Sequence, residues 1–189
     1  KILDHLEGRG LLEDTLVCFT TDHGDFWGQH GLTAKCIHHY EDLLRVPLIV
    51  SQPGVIPEGV ISNSLQSTVD LAQTFLSMSG IQAPAIMSGV DQSAVWKGEC
   101  ETQRDHVIVE NRHQPTKMNL RTFITDRWKM TVHFNQEFGE LYDLQQDPGE
   151  LKNLWDVAEY RDKKSELLLQ FLYGEMAKEP LPMPRISGA

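Results

Sequence analysis

The sequence is short of the features that mark several protein classes. It has three cysteines, at 18, 36 and 100, widely spaced and without a CxxC pair. That excludes a zinc ribbon, a thioredoxin motif and a self-contained disulfide framework. No apolar run approaches the ~18–20 residues of a membrane-spanning helix. Basic residues are outnumbered, 17 Lys and Arg against 27 Asp and Glu, for a net charge of −10. Such a surface repels phosphate backbones, so nucleic acid is not an expected partner. Internal repeats and low-complexity tracts are missing too. What remains is an ordinary globular mixture, 40% hydrophobic and 23% charged in 189 residues, long enough to bury a core. The chain opens on Lys1 without Met, already in a helical pattern, which predicts a piece whose N-terminus lies upstream.

Ile2, Leu3 and Leu6 form the tail of an amphipathic helix, with Gly8 and Gly10 to end it. Residues 15–21 are a continuous β-rich run, expected in a parallel sheet covered on both faces. It stops at Asp22-His23-Gly24-Asp25. A second β-rich run follows at 46–50 and a helix at 69–78, with Asp70 in its first turn. Strand–helix alternation over residues 1–105 predicts α/β architecture. Residues 106–189 change character. Strands at 106–110, 121–125, 129–134 and 140–144 predict a small antiparallel meander. A last helix is expected from about 157 to about 178, with Tyr160, Leu167, Leu168, Phe171, Leu172 and Met176 on one stripe. Trp128, Tyr142, Leu144 and Trp155 are expected to bury the meander against it. Pro180, Pro182 and Pro184 predict a loose tail.

Ligands of open sheets sit at the carboxyl ends of strands. Asp22 and His23 stand at such an end, and a carboxylate beside an imidazole can share a divalent cation. Two ligands do not close a site, so the rest must come from elsewhere. Spacing alone leaves open a capped turn and a satisfied polar histidine. Lys35 lies thirteen positions on; beside a cation its ammonium makes sense only with an anion such as sulfate or phosphate between them. By itself it reads as a solvated lysine. His38-His39 read as structural, since adjacent helical positions point about 100° apart. Arg112 and His113 follow a strand end and can grip a carboxylate or second sulfate. Asp147-Pro148-Gly149-Glu150 reads as a turn.

The ordered series Thr20-Thr21-Asp22-His23-Gly24-Asp25, Gly28-Gln29-His30-Gly31-Leu32, Lys35, Tyr40-Glu41, Arg45-Val46-Pro47-Leu48-Ile49-Val50 and Pro53-Gly54 resembles the C-terminal half of a sulfatase. The resemblance continues through Val69-Asp70-Leu71, Thr125-Asp126-Arg127-Trp128-Lys129, Glu140-Leu141-Tyr142-Asp143-Leu144, Asp147-Pro148 and Asn153-Leu154. It implies the α/β core of the alkaline phosphatase superfamily, with a small antiparallel subdomain and C-terminal helix. It also implies one divalent metal, commonly Ca2+, with Mn2+ or Zn2+ as alternatives. Asp22 and His23 match metal ligands, and Lys35 matches the lysine that contacts the sulfate. The nucleophile that the resemblance implies is a formylglycine from a Cys/Ser-x-Pro/Ala-x-Arg motif. No cysteine or serine of this chain stands in that motif.

The expectation is therefore a C-terminal part of a metal-dependent sulfatase, inactive alone, acting on a sulfate ester such as a sulfated glycan once joined to its N-terminal half. Secreted, periplasmic and lysosomal-type compartments are common in the family, but no signal is visible here. The uncovered core is expected to promote self-association. A phosphonate monoester or phosphodiester hydrolase of the same superfamily, and a non-catalytic binding or assembly module, are the alternatives.

Overall fold

The computed structural model describes residues 1–113 and 117–178. The proline-rich end at 180–184 lies outside the described residues. The first part holds α1 (Ile2–Gly8), β1 (Val17–Thr20), β2 (Phe26–Trp27), β3 (Thr33–Ala34), α2 (Glu41–Leu44), β4 (Leu48–Ser51), α3 (Thr68–Met78) and α4 (Ser93–Trp96). β5 (Val107–His113), β6 (Met118–Ile124), β7 (Trp128–His133), β8 (Gly139–Asp143) and α5 (Arg161–Ala177) follow. Among the described residues no helix is long and apolar enough to cross a membrane.

One expectation is corrected at once. β1 pairs with β4, and the pairing is antiparallel, Cys18 opposite Val50 and Phe19 opposite Ile49. The unbroken apolar run could not reveal direction, because burial on both faces and parallel pairing leave the same mark in a sequence. One face of this pair is in fact open: Phe19 is 60% and Ile49 62% exposed. α3 starts where its capping chemistry dictates. The Ser67 hydroxyl and the Asp70 carboxylate satisfy each other's backbone amides in a capping box. Asp70 is buried and also receives Val90 N at 2.8 Å, Gln92 Nε2 at 3.2 Å and Arg104 Nη2 at 2.5 Å. It thereby ties residues 67–104 together. α4, four residues long, is too short to carry a period in the sequence.

The second part follows the predicted meander, in the order β5-β6-β7-β8 with all pairs antiparallel. Phe123, Met130 and Leu141 pack with Leu154, Leu167 and Phe171 of α5 into an apolar core. The helix stripe is narrower than its apolar residues imply. Leu167, Phe171 and Gly174 are buried, while Leu168, Leu172 and Met176 stay exposed. The opposite sheet face carries Thr122, Lys129, Thr131, Glu140 and Tyr142, all buried. Alternating strands usually give such polar faces to water. Here the face is covered by the segment His39–Glu41. Tyr142 therefore does not pack on α5 as expected; its ring lies 6.3 Å from that of Tyr40.

Candidate functional site

β1 ends at Thr20, and the chain turns at once through Asp22 and His23. Asp22 Oδ1 accepts from the Thr21 hydroxyl at 3.2 Å and from the His23 amide at 3.0 Å. Its own backbone amide, then Thr21 and His23, hold the carboxyl below the usual range, so it is ionised at neutral pH. Oδ2 is left over, and His23 Nε2 lies 3.7 Å from it. The other ring nitrogen, Nδ1, is 2.7 Å from the Gly24 carbonyl oxygen. A carbonyl only accepts, so Nδ1 carries the hydrogen and the neutral ring keeps its Nε2 lone pair free.

These two donors fit a divalent cation. An ion about 2.0–2.5 Å from each ligand can span atoms 3.7 Å apart. The Nδ1 bond to Gly24 fixes the tautomer, as second contacts of metal-binding histidines commonly do. Asp22 and His23 account for only part of a coordination sphere. Among the described residues no group of three or more His, Cys, Asp or Glu is placed to hold a metal ion.

Gly24 explains why the loop turns where it does. Its amide donates to Leu43 O at 2.8 Å. A Cβ at this position would stand 2.0 Å from Asp42 O. Only glycine lets the loop lie against α2.

Lys35 follows a hairpin whose first strand begins four residues after Asp22. Phe26 pairs with Ala34 and Trp27 with Thr33. Lys35 follows Ala34 directly and is exposed. The thirteen-residue separation from Asp22 is thus the length of a hairpin excursion. The hairpin is strained: His30 and Ala34 have φ of 53° and 58° without being glycine. The His30 ring stacks on Tyr40, with centroids 3.7 Å apart and planes 5° from parallel.

The structure places the remaining candidates elsewhere. Arg112 lines a cavity of about 460 Å³ with Arg121, Phe134 and residues of α5. His113, the next strand residue, belongs to the opposite sheet face. His39 is buried and its Nδ1 sits 2.8 Å from the Thr122 hydroxyl, while the His38 ring stands 6.1 Å from Tyr40. Sequence reasoning missed a buried charge cluster. Lys129, 1% exposed, pairs with Glu41 Oε1 at 3.0 Å and Glu150 Oε1 at 2.8 Å. The Glu150 contact is an ion pair without hydrogen-bond alignment. A lysine in an alternating strand gives no sign that its face is covered.

Residues 28–176 match the family described as "N-sulphoglucosamine sulphohydrolase, C-terminal". Among curated proteins, an N-acetylglucosamine-6-O-sulfatase of Bacteroides thetaiotaomicron is 32% identical over 176 residues, 89% of this chain and 31% of its own length. The chain thus spans about a third of that relative. Among solved structures, a protein in complex with its substrate D-glucosamine-2-N,6-O-disulfate superimposes with TM-score 0.88 at 28% identity, over 95% of this chain and 38% of that one. The phosphonate monoester hydrolase of Agrobacterium radiobacter superimposes with TM-score 0.83 at 25% identity, over 96% of this chain and 39% of that one. With a matched segment that takes in Lys35, the C-terminal sheet and nearly all of α5, the chain belongs to the sulfatase family, through its match to the N-sulphoglucosamine sulphohydrolase C-terminal model.

Proposed function

We propose that this chain supplies the leaving-group side of a metal-dependent sulfatase site, and that the formylglycine nucleophile stands in residues outside it. The observation that carries the reading is the Asp22–His23 pair, Oδ2 and Nε2 3.7 Å apart at the end of β1. Asp22 offers an ionised carboxylate and His23 a neutral nitrogen to a divalent cation, Ca2+, Mn2+ or Zn2+. Bound there, the cation supplies Lewis acidity to the sulfate oxygens. Lys35 brings its ammonium to the bridging oxygen, where negative charge grows as the S–O bond breaks. The exposed cross-strand pair Phe19–Ile49 supports burial of this face by the rest of a longer protein.

The substrate class is a sulfate ester, and the likeness to proteins acting on sulfated glucosamine supports a sulfated glycan. Phosphonate monoester hydrolysis is the second reading. It is favoured by the likeness to the Agrobacterium enzyme and by the imidazole donor, which suits Mn2+ and Zn2+ better than Ca2+. Turnover of matched aryl sulfate and phenylphosphonate esters by the complete protein decides between them. We expect faster sulfate hydrolysis by the complete protein and none by the 189-residue chain alone. Turnover by the isolated chain would overturn the division of labour.

A further inference from the structure

Lys129 spends solvation without touching any open site. Taking an ammonium out of water costs several kcal/mol unless it is closely paired, and an apolar side chain of like volume is often as stable. Its two carboxylate partners come from distant parts of the chain, Glu41 and Glu150. Glu150 is itself in a left-handed conformation, φ 53°, and its Oε2 accepts the Glu41 amide at 2.6 Å. Glu41 is thus held twice, by side chain and by backbone. Two residues earlier, His39 is held by Thr122, whose hydroxyl is 2.7 Å from that of Thr131. Tyr40 lies between two residues fastened to the sheet.

The hairpin that carries Lys35 needs an outside support. Its strands are two residues each. Left-handed backbone at His30 and Ala34 costs roughly 1–2 kcal/mol per residue. What restrains it is the Tyr40 ring, flat against His30 and edge-on to Phe26 at 6.2 Å. Whatever holds Tyr40 therefore holds the hairpin.

We propose that Lys129 is a positioning residue for Lys35: together with Glu150 it fixes Glu41, and hence Tyr40, whose ring keeps the strained hairpin in the form that returns Lys35 to the Asp22–His23 loop. The C-terminal sheet is on this account a fixture of the active site. The inference rests on the reading of Lys35 as the sulfate-contacting lysine.

The test uses the complete protein with 13C-labelled histidine, and reads both the His30 imidazole resonance, assigned with His30→Gln, and the kinetics on an aryl sulfate. Lys129→Met and Tyr40→Leu should each move the His30 resonance out of its ring-current-shifted position. Each should lower kcat about 10- to 100-fold, with KM changed less than about twofold. The double variant should be no worse than the more severe single one. Lys163→Met, which breaks the Lys163–Glu166 pair on α5, the helix packed on the other face of the sheet, should leave both readouts in place. If Lys129→Met does not fold, Tyr40→Leu and Glu41→Gln carry the same comparison. An unmoved His30 resonance in the folded variants, or additive losses in the double variant, overturns the proposal. A moved resonance in a protein that hydrolyses no sulfate ester upholds the linkage and refutes the sulfatase reading instead.

Discussion

The Gly24 amide donates to the Leu43 carbonyl over 2.8 Å, and through this bond α2 sets the height of the Asp22–His23 turn. A methyl group at Gly24 would fall 2.0 Å from Asp42 O, a backbone atom that cannot swing aside. Gly24→Ala must therefore push the turn off the helix. We expect a loss of about 1–3 kcal/mol, the range for overpacking, measured by urea unfolding. Metal affinity should fall with it, because the Nδ1 bond that orients His23 ends on the Gly24 carbonyl. Unchanged unfolding midpoints would show that the turn is not fixed by this contact.

In the proposed metal site the His23 imidazole would set the preference among ions. A nitrogen donor favours Mn2+ and Zn2+, whereas Ca2+ prefers an all-oxygen sphere. His23→Asn, which puts an amide oxygen in place of Nε2, should shift the complete protein's preference toward Ca2+ by about an order of magnitude, the lower end of what orienting and ligating contacts contribute. Metal-dependent thermal shifts with each ion separate the outcomes. An unchanged order of ions would place His23 outside the coordination sphere.

Much of this arrangement is legible in the residues and some is not, for physical reasons. The meander is legible because its strands alternate, and turn residues such as Asp126-Arg127 break them at regular spacing. Asp70 is legible as a helix-starting carboxylate, since capping is local chemistry. The direction of β1 is not, because an unbroken apolar run reads alike in either pairing. Burial of Lys129 and Thr131 is not either: their strand pattern is that of a solvated face, and what covers it comes from residues about ninety positions earlier. At the candidate site, Asp22, His23 and Lys35 stand out through the resemblance to sulfatases, since their spacing alone also suits a capped turn and a solvated lysine. The support beneath them, Tyr40 on His30 and Glu41 on Lys129, depends on contacts between segments that no local pattern announces.

Asp70 is 1% exposed and accepts from four donors, including the Arg104 guanidinium. Asp70→Ala leaves the partly buried Arg104 charge without its partner and removes the cap of α3. Breaking a buried pair from one side costs about 3–5 kcal/mol. Circular dichroism on denaturation should record a loss of that size. The double change Asp70→Ala with Arg104→Met should recover part of it, since no unpaired charge remains. No recovery would assign the cost to the cap alone.

His39 gives the fold an acid-sensitive joint. Burial, then the nearby charges of Lys129, His133 and His38, push its imidazole down to about 4 from an ordinary 6.5. Above about pH 6.5 the ring is neutral in both folded and unfolded chains, so it adds no pH dependence. Between about 6.5 and 4 the unfolded chain binds a proton that the folded one refuses. Stability therefore falls as pH falls through this window, by about 3 kcal/mol in all. Burial pushes Glu140 and Glu150 up, and their contribution has the opposite sign, lost as pH rises from about 4.5. The wild-type slope alone therefore mixes the two. His39→Asn removes the titrating ring and keeps a donor for the Thr122 hydroxyl. Its stability deficit relative to wild type should shrink by about 3 kcal/mol between pH 7 and pH 4, read from urea midpoints at matched salt. A deficit constant across that range would mean that His39 takes up its proton equally well in the folded state, and that the Thr122 bond survives protonation.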